Sequence, residues 1–435
     1  MRSVRLVTFG CKANQYDTQL LREALVRRGL AEHERDADLV VVNTCTVTAE
    51  AGRKARQLVR RLHREEPRTK IAVTGCLAES EPEVLRELPG VEWVLGNGDA
   101  KRPAHFLRAI GLAAEGDDPE ELGVPAGITA FAGHTRAFVK IQDGCDHRCA
   151  FCIIPSTRGP SRSRDADELE REVEGLVRSG FVEVVLCGIH IGHWGRERGA
   201  ALADLLERLV ALEPRDEQGR PLEFRLRLSS IEATEVCDRT VDLMASRPER
   251  LAPHLHMPLQ AGDDGVLERM NRWYDRRTYL EACDRIRSRL DRPAFTADVL
   301  VGFPGETDEA FERTLDAVRE SGFARLHVFP FSPRPGTAAW DMDGRVPPPV
   351  VRERRARLSE VAAEVGDAYR RGLAGVRERV VLEGSAGLVG RYQRVRVPPE
   401  DLDRFAAPPA AVDVRIEVPG PAGGPADATL VGRPV

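Results

Sequence analysis

The chain has 435 residues, of which 42% are hydrophobic, and a formal net charge of −5 at pH 7. This length is too great for one ordinary core and predicts about three domains. No apolar run reaches the roughly 18–20 residues of a membrane span, and the N-terminus lacks the apolar core of a secretory signal. We therefore expect a cytoplasmic protein without membrane contact. The net charge excludes a uniformly basic nucleic-acid coat but allows a local basic face.

Residues 1–112 are predicted to form an N-terminal parallel α/β sheet domain, because apolar strand candidates alternate there with helix candidates. Predicted strands cover 4–9, 38–43, 70–75 and 93–96, and predicted helices cover 15–28, 49–64 and 82–87. Cys11, Cys45 and Cys76 each follow one of these strands. Sites in open α/β sheets form beyond the carboxyl ends of the strands. We therefore expect the three cysteines to converge at one edge of the sheet.

The rest of the chain divides into three further segments. Residues 113–130 are acidic and rich in Gly and Pro, which is typical of a linker. Residues 131–372 repeat a strand and a helix six times, which predicts a partial (β/α)6 barrel. Its predicted strands are 137–142, 183–188, 224–229, 255–259, 296–302 and 326–331, and its helices 167–179, 201–212, 235–245, 277–290, 309–321 and 350–371. Residues 373–435 alternate as short strands with Gly and Pro turns, which predicts a small C-terminal β-barrel.

A second cysteine triplet, Cys145, Cys149 and Cys152, has the spacing C-x3-C-x2-C in a loop after the first barrel strand. Cytosolic cysteines stay reduced, and a total of nine argues against a disulfide framework. A four-iron cluster usually takes four thiolates, so each triplet predicts a cluster with one open iron. Zinc is the alternative for the second triplet, but no fourth ligand has standard spacing, and His147 inside the loop fits no such pattern.

The loop CDHRCAFC after a first barrel strand resembles the radical S-adenosylmethionine superfamily. The phrases FGCKANQYDTQ, NTCTVTAEA and TGCLAE resemble the N-terminal domain of its methylthiotransferase family, and LCGIHIGHWG, LRLSSIE, HLHMPLQAGDD, DVLVGFPGET and HVFPFSPRPGT resemble the barrel of that family. The C-terminal strands resemble a TRAM domain, a small RNA-binding barrel. Within the family, GIHIG, LSSIE and HVFPFSPRPGT are most similar to the branch acting on threonylcarbamoyladenosine at position 37 of tRNA.

This resemblance implies a tRNA-modifying enzyme with two [4Fe–4S] clusters and S-adenosylmethionine as cofactors. The barrel-loop triplet would be catalytic, because its cluster would cleave S-adenosylmethionine reductively to a 5′-deoxyadenosyl radical that activates carbon 2 of the adenine. The N-terminal triplet would hold an auxiliary cluster carrying the sulfur, which a further S-adenosylmethionine would methylate. The implied partners are the anticodon stem-loop of tRNA, an electron donor such as flavodoxin or ferredoxin, and a sulfur donor.

Four positions at the ends of barrel strands are expected to contact S-adenosylmethionine. A side chain at Gly188 would crowd a bound methionine backbone. Ser230 and Glu232 end the third strand and could reach a ribose hydroxyl. Gly302, with Phe303, could border the adenine, although an ordinary strand-to-helix turn explains the GFPG sequence about as well.

Three sets of basic residues are candidates for RNA contact. They are six positions in the helix 49–64, then Arg158, Arg162 and Arg164, and finally Arg391, Arg394 and Arg396. The alternatives are a solvated helix face for the first set, pairing with the acidic stretch 165–174 for the second, and a solvated strand face for the third.

The remaining thiols and two histidines have less specific interpretations. Cys187, Cys237 and Cys283 lack partner spacing and are expected to be packed. His190 and His193 are not expected to bind iron, because thiolates already serve it. Two alternatives to the main function stay within the family: methylthiolation of isopentenyladenosine in tRNA, or of a ribosomal-protein aspartate. A non-catalytic iron–sulfur RNA-binding protein would not need the cofactor-binding phrases.

Overall fold

The computed structural model describes residues 1–118, 126–403, 410–418 and 430–435. The N-terminal part is a five-stranded parallel sheet with the strand order β2-β1-β3-β4-β5. Its elements are β1 Ser3–Thr8, α1 Lys12–Arg27, β2 Ala31–Glu32, β3 Leu39–Thr44, α2 Ala49–Glu65, β4 Lys70–Gly75, α3 Cys76–Ser80, α4 Pro82–Arg86, β5 Val91–Leu95 and α5 Pro103–Ala109. Side chains alternate across the sheet: Val41 packs with α1 and α5, whereas Val40 and Val42 pack with α2 to α4.

Residues 137–371 form the central part, which contains six parallel strands and an outer layer of helices. Its elements are β6 Ala137–Lys140, β7 Gln142–Asp143, α6 Ile154–Arg158, β8 Arg162–Ser163, α7 Ala166–Arg178, β9 Glu183–Cys187, α8 Leu202–Val210, β10 Arg225–Leu228, α9 Asp238–Ser246, β11 His254–His256, α10 Asp264–Arg269, α11 Arg276–Arg287, β12 Ala294–Val301, α12 Asp308–Ser321, β13 Arg325–Pro330 and α13 Pro348–Arg371. The strands form the sheets β6-β9-β10 and β11-β12-β13. Isolated backbone pairs, Leu226 with Leu251 and Ser230 with His256, join these two sheets.

The six strands therefore make one curved parallel surface, which is open because β6 and β13 do not pair within the described chain. This confirms the predicted partial (β/α)6 barrel. The boundaries differ by a few residues, and four short helices described so far, α3, α5, α6 and α10, were not predicted from the sequence. The described helices include none that combines the length and the apolar character needed to cross a membrane.

The C-terminal part is a closed barrel with the strand order β14-β15-β16-β18-β17, as predicted. Its elements are β14 Arg377–Glu383, β15 Ala386–Leu388, β16 Arg394–Arg396, α14 Pro399–Leu402, β17 Ala411–Glu417 and β18 Leu430–Pro434. Two buried arginines attach it to the central part. Arg227 donates to the carbonyls of Val389 (2.9 Å) and Gly390 (2.8 Å), and Arg225 donates to the carbonyl of Arg379 (3.1 Å).

The predicted linker 113–130 lies partly outside the described residues, at 119–125. Its described end is bound to two helices. The Ile128 N–H donates to Glu172 of α7 at 2.7 Å, and the Thr129 hydroxyl donates to Glu23 of α1 at 2.9 Å. This end of the segment therefore packs between the N-terminal sheet and the barrel.

Candidate active site

The N-terminal cysteines come together because their strands are neighbours in the sheet. β1, β3 and β4 lie side by side, and Cys11, Cys45 and Cys76 directly follow them. Gly10 and Gly75 precede two of these cysteines with φ of +99° and +95°, a left-handed conformation that favours glycine. A Cβ on Gly10 would lie 2.9 Å from the Sγ of Cys45. These tight turns bring the three thiols to one edge, as the sequence predicts.

A buried group of cations lies beneath this N-terminal triplet. Asp17 of α1 lies 2.9 Å from Lys101 and 3.4 Å from Arg158, and it also pairs with Lys140. Burial alone would raise the pKa of the Asp17 carboxyl, but these three cations hold the pKa well below its usual range. Asp143 also pairs with Lys140 at 2.8 Å and with Arg158 at 2.7 Å, so three cations face two carboxylates in this network.

The second triplet lines one cleft of about 600 Å³ at the carboxyl end of β6. Cys145, Cys149 and Cys152 are all on its wall, and the described residues that line it include no fourth cysteine. The loop is fixed by its backbone: the Cys145 N–H donates to Gly159 at 3.0 Å, and the Ala150 N–H donates to Met270 at 2.9 Å. Three thiols in one open cleft fit a four-iron cluster with one iron left for another ligand.

Burial keeps several of these thiols protonated when no iron is bound. It raises the pKa of Cys45 to about 11 and that of Cys152 to about 12, and it also raises the pKa of Cys149. Metal ions bind thiolates, so loading a cluster must release these protons.

Arg272 links the cluster loop to a predicted cofactor contact. Its guanidinium donates to the Sγ of Cys149 at 3.1 Å, to the hydroxyl of Tyr274 at 3.1 Å, and to the carboxylate of Glu232. It also stacks on the Trp273 ring, 4.3 Å from the centroid. Glu232, predicted to bind a ribose, is therefore already held beside the triplet by an arginine that the motifs did not single out.

A cavity of about 570 Å³ lies in the mouth of the barrel. Cys11 of the N-terminal triplet lines it, together with Gly188 and Ser230, two of the predicted cofactor contacts. Ser229 also lines it, and the buried Oγ of this residue has no hydrogen-bond partner in the described chain. A buried hydroxyl without a partner fits a cavity that accepts a polar ligand. Cys187 is buried at the same wall, and Cys283 is buried elsewhere, consistent with their expected packing, whereas Cys237 is exposed, contrary to that expectation.

Two predicted glycines are needed for packing in the structure. A Cβ on Gly188 would lie 2.7 Å from the carbonyl oxygen of Gln142, so the neighbouring backbone already excludes a side chain. Gly302 has φ of +77°, and its N–H donates to Glu306 at 2.8 Å. Gly302 is absent from the described cavity wall, and Phe303 is fully buried in the core. That this pair borders an adenine stays a prediction.

The candidate RNA-contact arginines divide between surface and interior. Arg158 is buried on Asn14 and Asp143, and Arg164 pairs with Glu172, as the acidic-stretch alternative predicts. Arg391 is also buried, which excludes both of its predicted interpretations. Arg162, Arg394 and Arg396 are exposed, and so are most of the Lys and Arg residues of α2. Each of those in α2 except Arg60 makes an ion pair within the described chain.

Residues 139–318 match the family described as the radical SAM superfamily, and residues 3–96 match the uncharacterized protein family UPF0004. Among solved structures, the radical S-adenosylmethionine methyltransferase TsrM from Kitasatospora setae aligns with a TM-score of 0.56 and 18% identity, covering 78% of this chain and 75% of that one. This likeness is one of fold. The barrel and its cysteine loop thus define a radical S-adenosylmethionine enzyme.

Relatives cover most of the chain. It is 36% identical over 390 residues to the threonylcarbamoyladenosine tRNA methylthiotransferase MtaB of Thermotoga maritima, covering 88% of this chain and 87% of that protein. It is 38% identical to the MtaB of Bacillus subtilis, covering 85% and 82%. It is 39% identical to the tRNA-2-methylthio-N(6)-dimethylallyladenosine synthase of a Parafrankia species, covering 88% and 78%. The chain belongs to the methylthiotransferase family of radical S-adenosylmethionine enzymes.

Proposed function

We propose that this enzyme adds a methylthio group to carbon 2 of N6-threonylcarbamoyladenosine at position 37 of tRNA. The barrel cavity is the observation that carries this proposal. Cys11 of one triplet faces the same space as Gly188 and Ser230 at the barrel strand ends. A sulfur atom carried at the N-terminal triplet would therefore face both the cofactor and a base inserted into the barrel.

The residues divide into two sets of cluster ligands and a smaller set of cofactor contacts. When bound, the two clusters and S-adenosylmethionine would supply the carbon-centred radical, the sulfur and the methyl group. Arg272 places a positive charge against the Cys149 thiolate and fixes Glu232 beside it. Ser230, with Ser229, offers hydroxyls at the cavity wall to a polar ligand.

A basic groove beside the cavity provides a path for tRNA. It has a volume of about 510 Å³ and lies between α13, β13 and the C-terminal barrel. The arginines that line it are Arg136, Arg325, Arg355, Arg370 and Arg394. Guanidinium groups suit bidentate contacts with phosphate. Phe329, which is 41% exposed and lines the barrel cavity, presents an aromatic face on which an unstacked base can pack.

The proposed chemistry requires two further partners. Reductive cleavage of S-adenosylmethionine consumes an electron, for which a flavodoxin or ferredoxin is the proposed donor, and repeated turnover consumes sulfur, which a separate donor must supply. A tRNA substrate supports a cytoplasmic location for the enzyme.

Mass spectrometry of nucleosides from bulk tRNA tests the substrate, using cells without the gene complemented by variants. We expect 2-methylthio-N6-threonylcarbamoyladenosine to disappear and its unthiolated precursor to accumulate with Cys11→Ala or Cys149→Ala. Cys237→Ala, at an exposed thiol outside both triplets, should restore the modified nucleoside. Loss of the isopentenyl (dimethylallyl) derivative instead would assign the chain to that reaction. Unchanged tRNA would overturn the proposal and redirect attention to a ribosomal protein.

A further inference from the structure

Four metal-ligating side chains converge beside the barrel-loop triplet and have no role in the proposed reaction. His147 lies in the cluster loop, His190 and His193 follow β9, and Glu235 follows β10. One ring nitrogen or carboxylate oxygen of each lies within 4.8 Å of those of the other three. The side chains of His190, His193 and Glu235 are each only 6% exposed. Three separate segments thus direct four donor atoms to one sheltered point.

The hydrogen bonds of this group conflict at one atom. The Nε2 of His193 lies 3.2 Å from the Nε2 of His147, 3.1 Å from the Oε1 of Glu235 and 2.6 Å from a guanidinium nitrogen of Arg196. One imidazole nitrogen carries either a proton or a lone pair. Arg196 can only donate to it, and an ionised Glu235 can only accept from it. Glu235 accepts instead from His190 at 2.8 Å and from Arg196 at 3.3 Å. With Arg196 donating to His193, the Nε2 of His193 and the Oε1 of Glu235 are two acceptor atoms 3.1 Å apart with no hydrogen between them, as two ligands of one cation would be.

The spacing instead suits ligands around a small cation. Zinc binds histidine nitrogens at about 2.0–2.1 Å in a tetrahedron, which places neighbouring ligand atoms about 3.3 Å apart. Three of the six corresponding separations are 3.2 Å for His147 and His193, 3.1 Å for His193 and Glu235, and 2.8 Å for His190 and Glu235, and all six are within 4.8 Å. We propose that these four side chains bind one divalent transition-metal ion, with zinc as the metal that fits the ligand set.

Neighbouring side chains orient two of the proposed ligands. The Nδ1 of His190 lies 3.5 Å from the Sγ of Cys145, so its Nε2 faces Glu235. Metal-bound histidines commonly donate their second ring nitrogen to a neighbouring acceptor, which fixes the ring orientation. Trp273 stacks on the His147 ring at 3.6 Å with an interplanar angle of 11°. Four protein ligands leave no open position, which is characteristic of a structural ion. The ion would tie the cluster loop to the ends of β9 and β10.

Metal content and X-ray absorption test this site independently of the tRNA substrate. The full chain, with both clusters reconstituted anaerobically, is incubated with zinc chloride, dialysed, and analysed for zinc and iron. We expect about one zinc per chain with a full iron complement, and a nitrogen/oxygen shell at about 2.0–2.1 Å in the zinc absorption spectrum. His193→Gln and Glu235→Gln should each lose most of this zinc and keep their iron. His33→Asn, at an exposed histidine outside the cluster, should keep both metals.

Three results would overturn the site. The wild-type chain could retain no zinc while its iron is complete. A sulfur shell at about 2.3 Å would place the zinc in a cysteine triplet instead. Equal zinc in wild type and both variants would show that these side chains are not its ligands. The spectrum of the wild-type chain decides the ligand type even where a variant folds poorly.

Discussion

Arg272 shows how one side chain can organise a reactive loop. It contacts a cluster thiol and a carboxylate, Cys149 and Glu232, which come from different barrel segments. Its planar guanidinium can serve both partners at once, whereas the single ammonium of a lysine cannot reproduce that fork. Arg272 is therefore a positioning residue: it acts on the chemistry through the thiol and the carboxylate that it holds.

Replacing Arg272 with Met should slow cleavage of S-adenosylmethionine by about 10–100-fold, because one hydrogen bond to a charged group is worth about 1.5–3 kcal/mol. The rate of 5′-deoxyadenosine formation measures this effect, and Arg272→Lys should recover only part of it. The electron paramagnetic resonance signal of the reduced cluster should also change at constant iron content. Arg277→Met, at an arginine whose side chain is 81% exposed, is the control. A wild-type rate and spectrum for Arg272→Met would contradict the role.

At the scale of elements, the tight turns after β1 and β4 build the N-terminal triplet. Each turn contains a glycine with positive φ. Cys11 therefore lies directly before α1, and Cys76 is the first residue of α3, with no intervening loop. The turn after β4 is the more crowded. A Cβ on Gly75 would lie 2.4 Å from the carbonyl oxygen of Thr44, which is backbone and cannot move aside.

We predict that Gly75→Ala displaces Cys76 and lowers the iron content of the reconstituted protein by up to about half, because one of two four-iron clusters is lost. The backbone strain alone costs on the order of 1–3 kcal/mol. Gly29→Ala is a matched control, since Gly29 has φ of +85° but a Cβ added there would meet nothing within 4 Å. The Gly29→Ala variant has the same kind of backbone strain but no steric clash, so it should keep its iron. Equal iron in the two variants would argue against the role of the turn.

At the scale of the whole molecule, buried ion networks join the three parts of the chain. Asp17, Lys140 and Arg158 connect the N-terminal sheet to the barrel. Glu183 accepts from Arg225 at 2.8 Å and from Arg227 at 2.9 Å, and these arginines in turn hold the C-terminal barrel. These contacts fix the relative positions of the two triplets and the basic groove.

Glu183→Gln should destabilise the protein by roughly 3–5 kcal/mol at pH 7, because it leaves two arginines buried without their carboxylate. Burial alone would raise the pKa of Glu183, but Arg227 and Arg225 lower this pKa to about 2. In the unfolded chain the pKa of a Glu carboxyl is about 4.3. The stabilisation that the ionised Glu183 contributes is therefore complete above that pH and is lost as the pH falls towards 2. In thermal unfolding experiments, the difference in stability between wild type and variant should therefore become smaller as the pH is lowered from 7 to 3. A stability difference that is independent of pH would contradict this role of the ionised Glu183.

The basic groove makes a prediction about tRNA binding. Arg325 and Arg355 line it and make no ion pair within the described chain, so their charge is available to phosphate. The double substitution Arg325→Gln with Arg355→Gln should weaken tRNA binding and reduce the slope of log affinity against log salt by up to about 2. Arg277→Gln with Arg319→Gln, outside the groove, is the control pair. An unchanged salt slope would remove this groove from the proposed tRNA path.

The sequence by itself determined the parts of this protein that depend on local pattern. Alternating strands and helices predicted the sheet and the open barrel, because hydrophobic periodicity is a local property. The spacing of the barrel-loop cysteines predicted one site, and the position of Cys11, Cys45 and Cys76 after parallel strands predicted the other, because such strand ends share one edge.

Only the tertiary structure decided which charged side chains are buried and what they contact. Arg158 and Arg391 are of a residue type that usually lies at the surface, but both are buried. Each pairs there with a carboxylate from a distant segment, Arg158 with Asp17 and Arg391 with Asp291. Arg272 is 123 residues from the thiol that it contacts, and His147 is 46 residues from His193. Burial and partner choice depend on how remote segments pack, and a side chain's own sequence neighbourhood carries little information about that packing.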